Sequence, residues 1–340
     1  MDRAQEEMQF LGLFGIYKES FKLIFKLRKI LSQITLTLIL PLSFIFLAQE
    51  DVSEILNDKI SFNEFVLSDT KKGTPQYHKL SDVVSSEWAA YILVKIFYFA
   101  FVLAFSLLST SAVVYTIACV YTSREITFRK IMSVVPRVWK RLIITFLCAF
   151  FAFCAYIVVF GFTLCMWGKS GRAARADSKF GVAVFVIVVI LYALGFVYMA
   201  VIWQLASVVS VLEDLHGFKA MIKSRKLIQG KLFAGIAIFV KLIVFLVITN
   251  FGFKVFVMYR VWGRMEGLQV VGFGVIFLLL LLNGILFGLV VQTVIYFVCK
   301  SYHHQIIDKS ALSDHLEVIC LGDYVPLKAN KDVQLEEYHV

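Results

Sequence analysis

Residues Trp203 to Phe233 read WQLASVVSVLEDLHGFKAMIKSRKLIQGKLF. An apolar run stops at Glu213 and Asp214 and the chain turns at Gly217. It then passes through Lys219, Lys223, Arg225, Lys226 and Lys231 and becomes apolar again at Leu232. In a bilayer this pattern is a helix leaving the hydrocarbon, a cationic surface segment, and the next helix going in.

The whole chain has the same character. Of its 340 residues 60% are hydrophobic and 15% aromatic, with a mean hydropathy of +0.81. That is more apolar side chain than one soluble core can hide, so lipid is part of the solvent. The net charge of +10 crowds the ends of apolar runs instead of forming a basic domain. Its expected counter-charge is therefore anionic lipid headgroups and not nucleic acid. The six cysteines, Cys119, Cys148, Cys154, Cys165, Cys299 and Cys320, show no CxxC spacing and read as packing residues.

Working outward gives six spans, at about 30–48, 88–122, 141–167, 181–212, 232–256 and 270–299. The expected fold is an all-α polytopic membrane protein, its spans paired as three hairpins, with amphipathic interfacial helices. Before the first span, residues 1–29 carry Phe10, Leu13, Phe14, Tyr17, Phe21, Ile24 and Phe25 at helical spacing, with Lys18, Lys22, Lys26 and Lys29 on another face. This is a helix lying in the membrane interface or packed on the protein's own end. Pro41 is expected to kink the first span. The 39 residues from 49 to 87 hold eight acids and four lysines, and read as a small cap or a mobile loop. Two runs are overlong: 88–122 would extend about 52 Å and 181–212 about 48 Å as single helices. Either the first projects from the bilayer or SLLSTS at Ser106–Ser111 bends it. Pro136 is placed to start the third helix. Residues 300–340 form a polar tail.

Shifting the sequence by ninety residues sets Phe128 on Phe218, Arg129 on Lys219, Arg141 on Lys231 and Leu142 on Leu232. The exit-and-return element therefore reads as the second of two copies, with chance similarity of amphipathic segments as the alternative. Lys and Arg number 21 on one side of the spans and 11 on the other, which places both termini in the cytosol.

No span carries an interior Asp or Glu, which counts against proton- or cation-coupled transport. Lys241, about 14 Å into the fifth span, is the most unusual intramembrane charge. It reads as an anion or lipid-phosphate ligand, or as a snorkelling lysine, as Lys95 does. Gln204, Asn250, Asn283 and Gln292 could cluster between helices. Glu213 and Asp214 read as a helix-exit ion network with Lys223, Arg225 or Lys226. His303, His304, Asp308, Asp314 and His315 fit no metal spacing, and no GxSxG, Walker loop or HExxH occurs. Tyr324 to Leu327, YVPL, has the form of a sorting signal for a trafficking adaptor.

LGLFGIYKES, TLTLILPLSFIFLA, VLEDLHGFKAMIKSRKLIQGK and DYVPLK together resemble a family of plant six-span membrane proteins. Its members carry labels such as polyadenylate-binding-protein-binding protein. The opening stretch is more loosely similar to the membrane domain accompanying some bacterial glycerophosphodiester phosphodiesterases, whose catalytic barrel this chain lacks. The resemblance implies a six-span scaffold and carries over no functional residue.

The expected function is thus a non-enzymatic, cofactor-free endomembrane protein that binds anionic lipid or serves as a scaffold or trafficking partner. Its candidate contacts are Arg129, Lys130, Lys219, Lys223, Arg225, Lys226, Lys231 and Lys241. The alternative is a carrier or channel for a lipid or small anion.

Overall fold

The computed structural model describes residues 8–122, 127–169, 179–258 and 267–303. Among these the chain is helical, and six helices are long and apolar enough to cross a membrane. We number them with the two shorter ones: α1 Leu13–Lys26, α2 Arg28–Asp69, α3 Pro75–Tyr121, α4 Phe128–Lys169, α5 Lys179–Leu212, α6 Phe218–Ile228, α7 Leu232–Phe253 and α8 Gly267–Tyr302.

The largest departure from expectation is segment 49–87, which is not a mobile loop. It is the continuation of α2 and α3, joined by a turn at Thr70–Thr74. Thr74 caps α3 by accepting a hydrogen bond from the Tyr77 N–H at 3.2 Å, and Pro75 follows at the first helical position. At 42 and 47 residues the two helices run about 63 and 70 Å, twice the hydrocarbon thickness. Polar bridges tie the two helices together. The Lys95 ammonium donates to Ser53 Oγ at 2.7 Å, Asn63 Nδ2 to Glu87 at 2.7 Å and Trp88 Nε1 to Glu64 at 2.8 Å, while Lys59 pairs with Glu87 at 3.1 Å. Lys95 therefore acts as an interhelical donor. Glu87→Ala removes two of these links, and is expected to speed amide hydrogen exchange near the Thr70–Thr74 turn while leaving the bundle's protection unchanged.

At Pro41 the regular α-helical winding of α2 is interrupted. The turn before it, Thr35–Ile39, is wound as a π turn in which the Leu40 N–H bonds Thr35 O. That wider turn accommodates a ring that would otherwise meet the carbonyl of Thr37. Pro136 does not start a helix. It lies on the exposed face within α4, so the basic piece at 128–141 and the third span are one helix. The two proposed copies differ here. In the second copy α6 ends at Ile228, and Gly230, with φ +91°, breaks the chain before α7.

The core lies at the end where α5 meets α6 and α8 ends. Its centre is Ala112–Ala118 of α3, Ile131 to Leu142 of α4, Leu205–Leu212 of α5 and Val290–Cys299 of α8. Toward the opposite ends of α4 and α5, Phe151, Val158, Phe162, Ile187 and Leu194 are exposed, as a lipid solvent allows. There the pair is held by aromatic contacts and by Tyr156 Oη donating to Tyr192 O at 2.7 Å.

In α1 the face that meets the protein is Ile16, Ser20 and Leu23, all buried. Phe10, Phe14 and Phe25 point outward, at 80, 86 and 72% exposure. Tyr17 and Phe21 lie between the two, against Phe287 of α8.

Candidate functional site

The stretch from Glu213 to Lys231 is tied down at three points. Gly217, at φ +63° and ψ −137°, donates its N–H to Thr145 Oγ1 at 2.9 Å, and Thr145 Oγ1 and Ser210 Oγ are 2.7 Å apart. This buried polar knot fastens the turn to α4 and α5. Glu213 enters a second cluster. Tyr296 Oη donates to it at 2.7 Å, Lys300 approaches to 3.3 Å, and Lys223 pairs with its other oxygen. Burial alone would raise the Glu213 pKa. The hydrogen bonds from Lys223 and Tyr296, with the charges of Lys300 and Lys223, outweigh that and hold it below its ordinary value of 4.5. Asp214 reaches outward to Arg141 at 2.6 Å. The ion network read from sequence thus exists, but Tyr296 and Lys300 were not part of it. Their i, i+4 spacing on the last turns of α8 is the signal that could have found them.

The third anchor is His303, whose Nε2 lies 3.1 Å from Leu227 O and 3.0 Å from Gln229 O. Its ring closes the C-terminus of α6, where a donor answers free carbonyls. Among the described residues no group of three or more His, Cys, Asp or Glu could hold a metal ion. His304, Asp308, Asp314, His315, Cys320, Tyr324 and Leu327 lie outside the described residues.

Between α6 and the end of α8 opens a cavity of about 760 Å³, lined by Lys219, Ile222, Lys223, Lys226, Gln229 and His303, over Leu215 and Leu227. It collects three of the candidate cations. Lys223 is bound by Glu213, whereas no ion pair engages Lys219 or Lys226 among the described residues. The remaining candidates fall elsewhere. Lys231 donates to Leu11 O at 3.4 Å and covers the Tyr302 ring at 5.4 Å. It is therefore a structural clamp on the segment before α1. Arg225 is exposed at the end of α6, and Arg129 and Lys130 are exposed at the start of α4. None of these three lines the cavity.

The four amides do not form one cluster. Asn250 and Asn283 each donate to the carbonyl one turn back on their own helix, Leu246 and Leu279, both at 2.8 Å. Gln204 and Gln292 do line a common space, of only about 10 Å³, with Ile228 and Gly235. Lys241 stands on the opposite flank of α7, in a groove against α1 and α8.

Six helices long and apolar enough to cross a membrane, in a chain that is helical throughout its described residues, define an all-helical, multi-pass membrane protein. The chain belongs to the family described as a domain of unknown function, DUF8558, which matches residues 1–338. No curated protein and no solved structure matches it.

Proposed function

We propose that the protein is a non-enzymatic endomembrane protein of the plant six-span type, built of three helical hairpins with α1 in the membrane interface. In this reading both termini face the cytosol, and the cavity under α6 holds the headgroup of an anionic phospholipid. The observation that carries the reading is that one cavity with an apolar floor holds Lys219 and Lys226, which pair with no carboxylate among the described residues. Ammonium groups without carboxylate partners at a membrane surface attract phosphate, with about 1 kcal/mol per lysine near an anionic surface. The outward phenylalanines of α1 support its placement in the interface. The excess of Lys and Arg on the α6 side supports the orientation.

The test is short-chain phosphatidylserine titrated onto the purified full chain in low salt. Lys219→Gln with Lys226→Gln should weaken binding roughly thirtyfold, from two lysines at about 1 kcal/mol each, and added salt should narrow the difference. Lys223 is left in place because its removal would also strip Glu213 of a partner. Unchanged affinity in the double variant sinks the lipid reading.

A further inference from the structure

A second cavity, of about 570 Å³, lies between α1, α7 and α8, away from the basic one. Its walls are Tyr17, Phe21 and Phe25 of α1, Lys241 and Phe245 of α7, and Phe287 of α8. Close helix packing makes its floor. A Cβ on Gly284 would collide with the Phe245 ring, so glycine lets that ring pack closely against α8.

The groove has one charged end. Lys241 is exposed, its ammonium lies 5.6 Å from the centre of the Tyr17 ring, and no ion pair engages it among the described residues. Sequence order fixes the direction. Lys241 precedes Phe245 on α7, which begins at the basic end. The cationic end therefore faces the α6 side of the bundle, and the aromatic end lies further along α7. Asn283, at that far end, already donates to its own helix and leaves the apolar half largely without a polar demand.

We propose that this groove binds a single-chain, monoanionic lipid, a long-chain fatty acid, with its carboxylate on Lys241 and its chain along Phe21, Phe245 and Phe25. One cation matches one negative charge, whereas a multiply charged headgroup would leave charge unanswered in a low-dielectric site. A furrow walled on one side by α1 takes one chain, and the second chain of a phospholipid would have to leave it. Head toward the basic end and tail toward the opposite leaflet is also the direction in which a lipid of that leaflet lies.

The experiment measures binding of a long-chain fatty acid, its methyl ester and phosphatidylglycerol to the purified full chain in detergent. The acid should bind best. Lys241→Met should weaken it tenfold or more, roughly the contribution of one hydrogen bond to a charged group, while leaving the ester unchanged. Lys241→Arg should retain binding. Three results overturn the proposal: wild-type affinity in Lys241→Met, an ester that binds as tightly as the acid, or phosphatidylglycerol displacing the acid at equal concentration. The Lys219→Gln, Lys226→Gln variant should bind the acid normally. Loss there would place the acid in the basic cavity and also overturn this site, so failure of one site is distinguishable from failure of the other.

Discussion

Glu213→Leu is expected to destabilise the protein by about 2–3 kcal/mol, read as a shift in reversible unfolding in mixed anionic and non-ionic micelles. The Glu213 side chain is 13% exposed and Lys300 16%. Removing the carboxylate strands the Lys300 charge, with the Tyr296 hydroxyl, in the core. Breaking a fully buried pair costs more, about 3–5 kcal/mol, but Lys223, at 32% exposure, can swing to water and lowers the figure. Asp214→Ala makes the contrast. Its side chain is 69% exposed beside Arg141, and pairs of that kind contribute under about 1 kcal/mol. The effect of Glu213 also has a pH signature. A carboxyl with a depressed folded pKa stabilises above its unfolded value and loses that contribution as pH falls through the folded one. The advantage of wild type over Glu213→Gln should therefore be full above about 4.5 and fade below it.

Gly217→Ala is expected to cost about 2–3 kcal/mol in the same unfolding measurement. Its backbone, φ +63° and ψ −137°, falls in a region nearly reserved for glycine, and a side chain there adds about 1–3 kcal/mol of strain. A new Cβ would also stand 3.2 Å from Cys148 Sγ and 3.5 Å from Ile144. If the backbone rotates to relieve either problem, the N–H leaves Thr145 and a buried donor loses its partner, at about 1–3 kcal/mol. Gly217→Ala should therefore outweigh Ser210→Ala, which leaves the Thr145 acceptor in place.

Hydropathy made the six spans legible because it records solvent, and lipid is the solvent along their length. It was silent on residues 49–87 because these helices form without a continuous apolar run. The bridges from Ser53 to Lys95 and from Asn63 and Glu64 to Glu87 and Trp88 join residues 24 to 42 apart, beyond the reach of local pattern. Which face of α1 meets the protein was left open by the sequence for a related reason. A phenylalanine face can meet lipid or protein, and periodicity alone does not say which; the residues that meet the protein are Ile16, Ser20 and Leu23.

Charge spacing found Glu213 and the lysines of α6 but could not divide their labour. Lys223, Lys231 and His303 turn out to hold the protein together, and Lys219 and Lys226 are left to face the cavity. That division depends on Tyr296, Lys300 and Leu11, which are remote in sequence. Lys241 stood out alone, but its groove is made by α1, whose docking the sequence left open.

Photo-crosslinking tests the basic cavity most directly. An anionic phospholipid carrying a photoreactive group in its headgroup would be activated on the full chain in bilayers, and the labelled peptides read by mass spectrometry. The label should fall on Phe218–Ile228 and on the segment ending at His303, and should be lost from Lys219→Gln, Lys226→Gln. Labelling confined to other segments, or unchanged in that variant, would contradict the account.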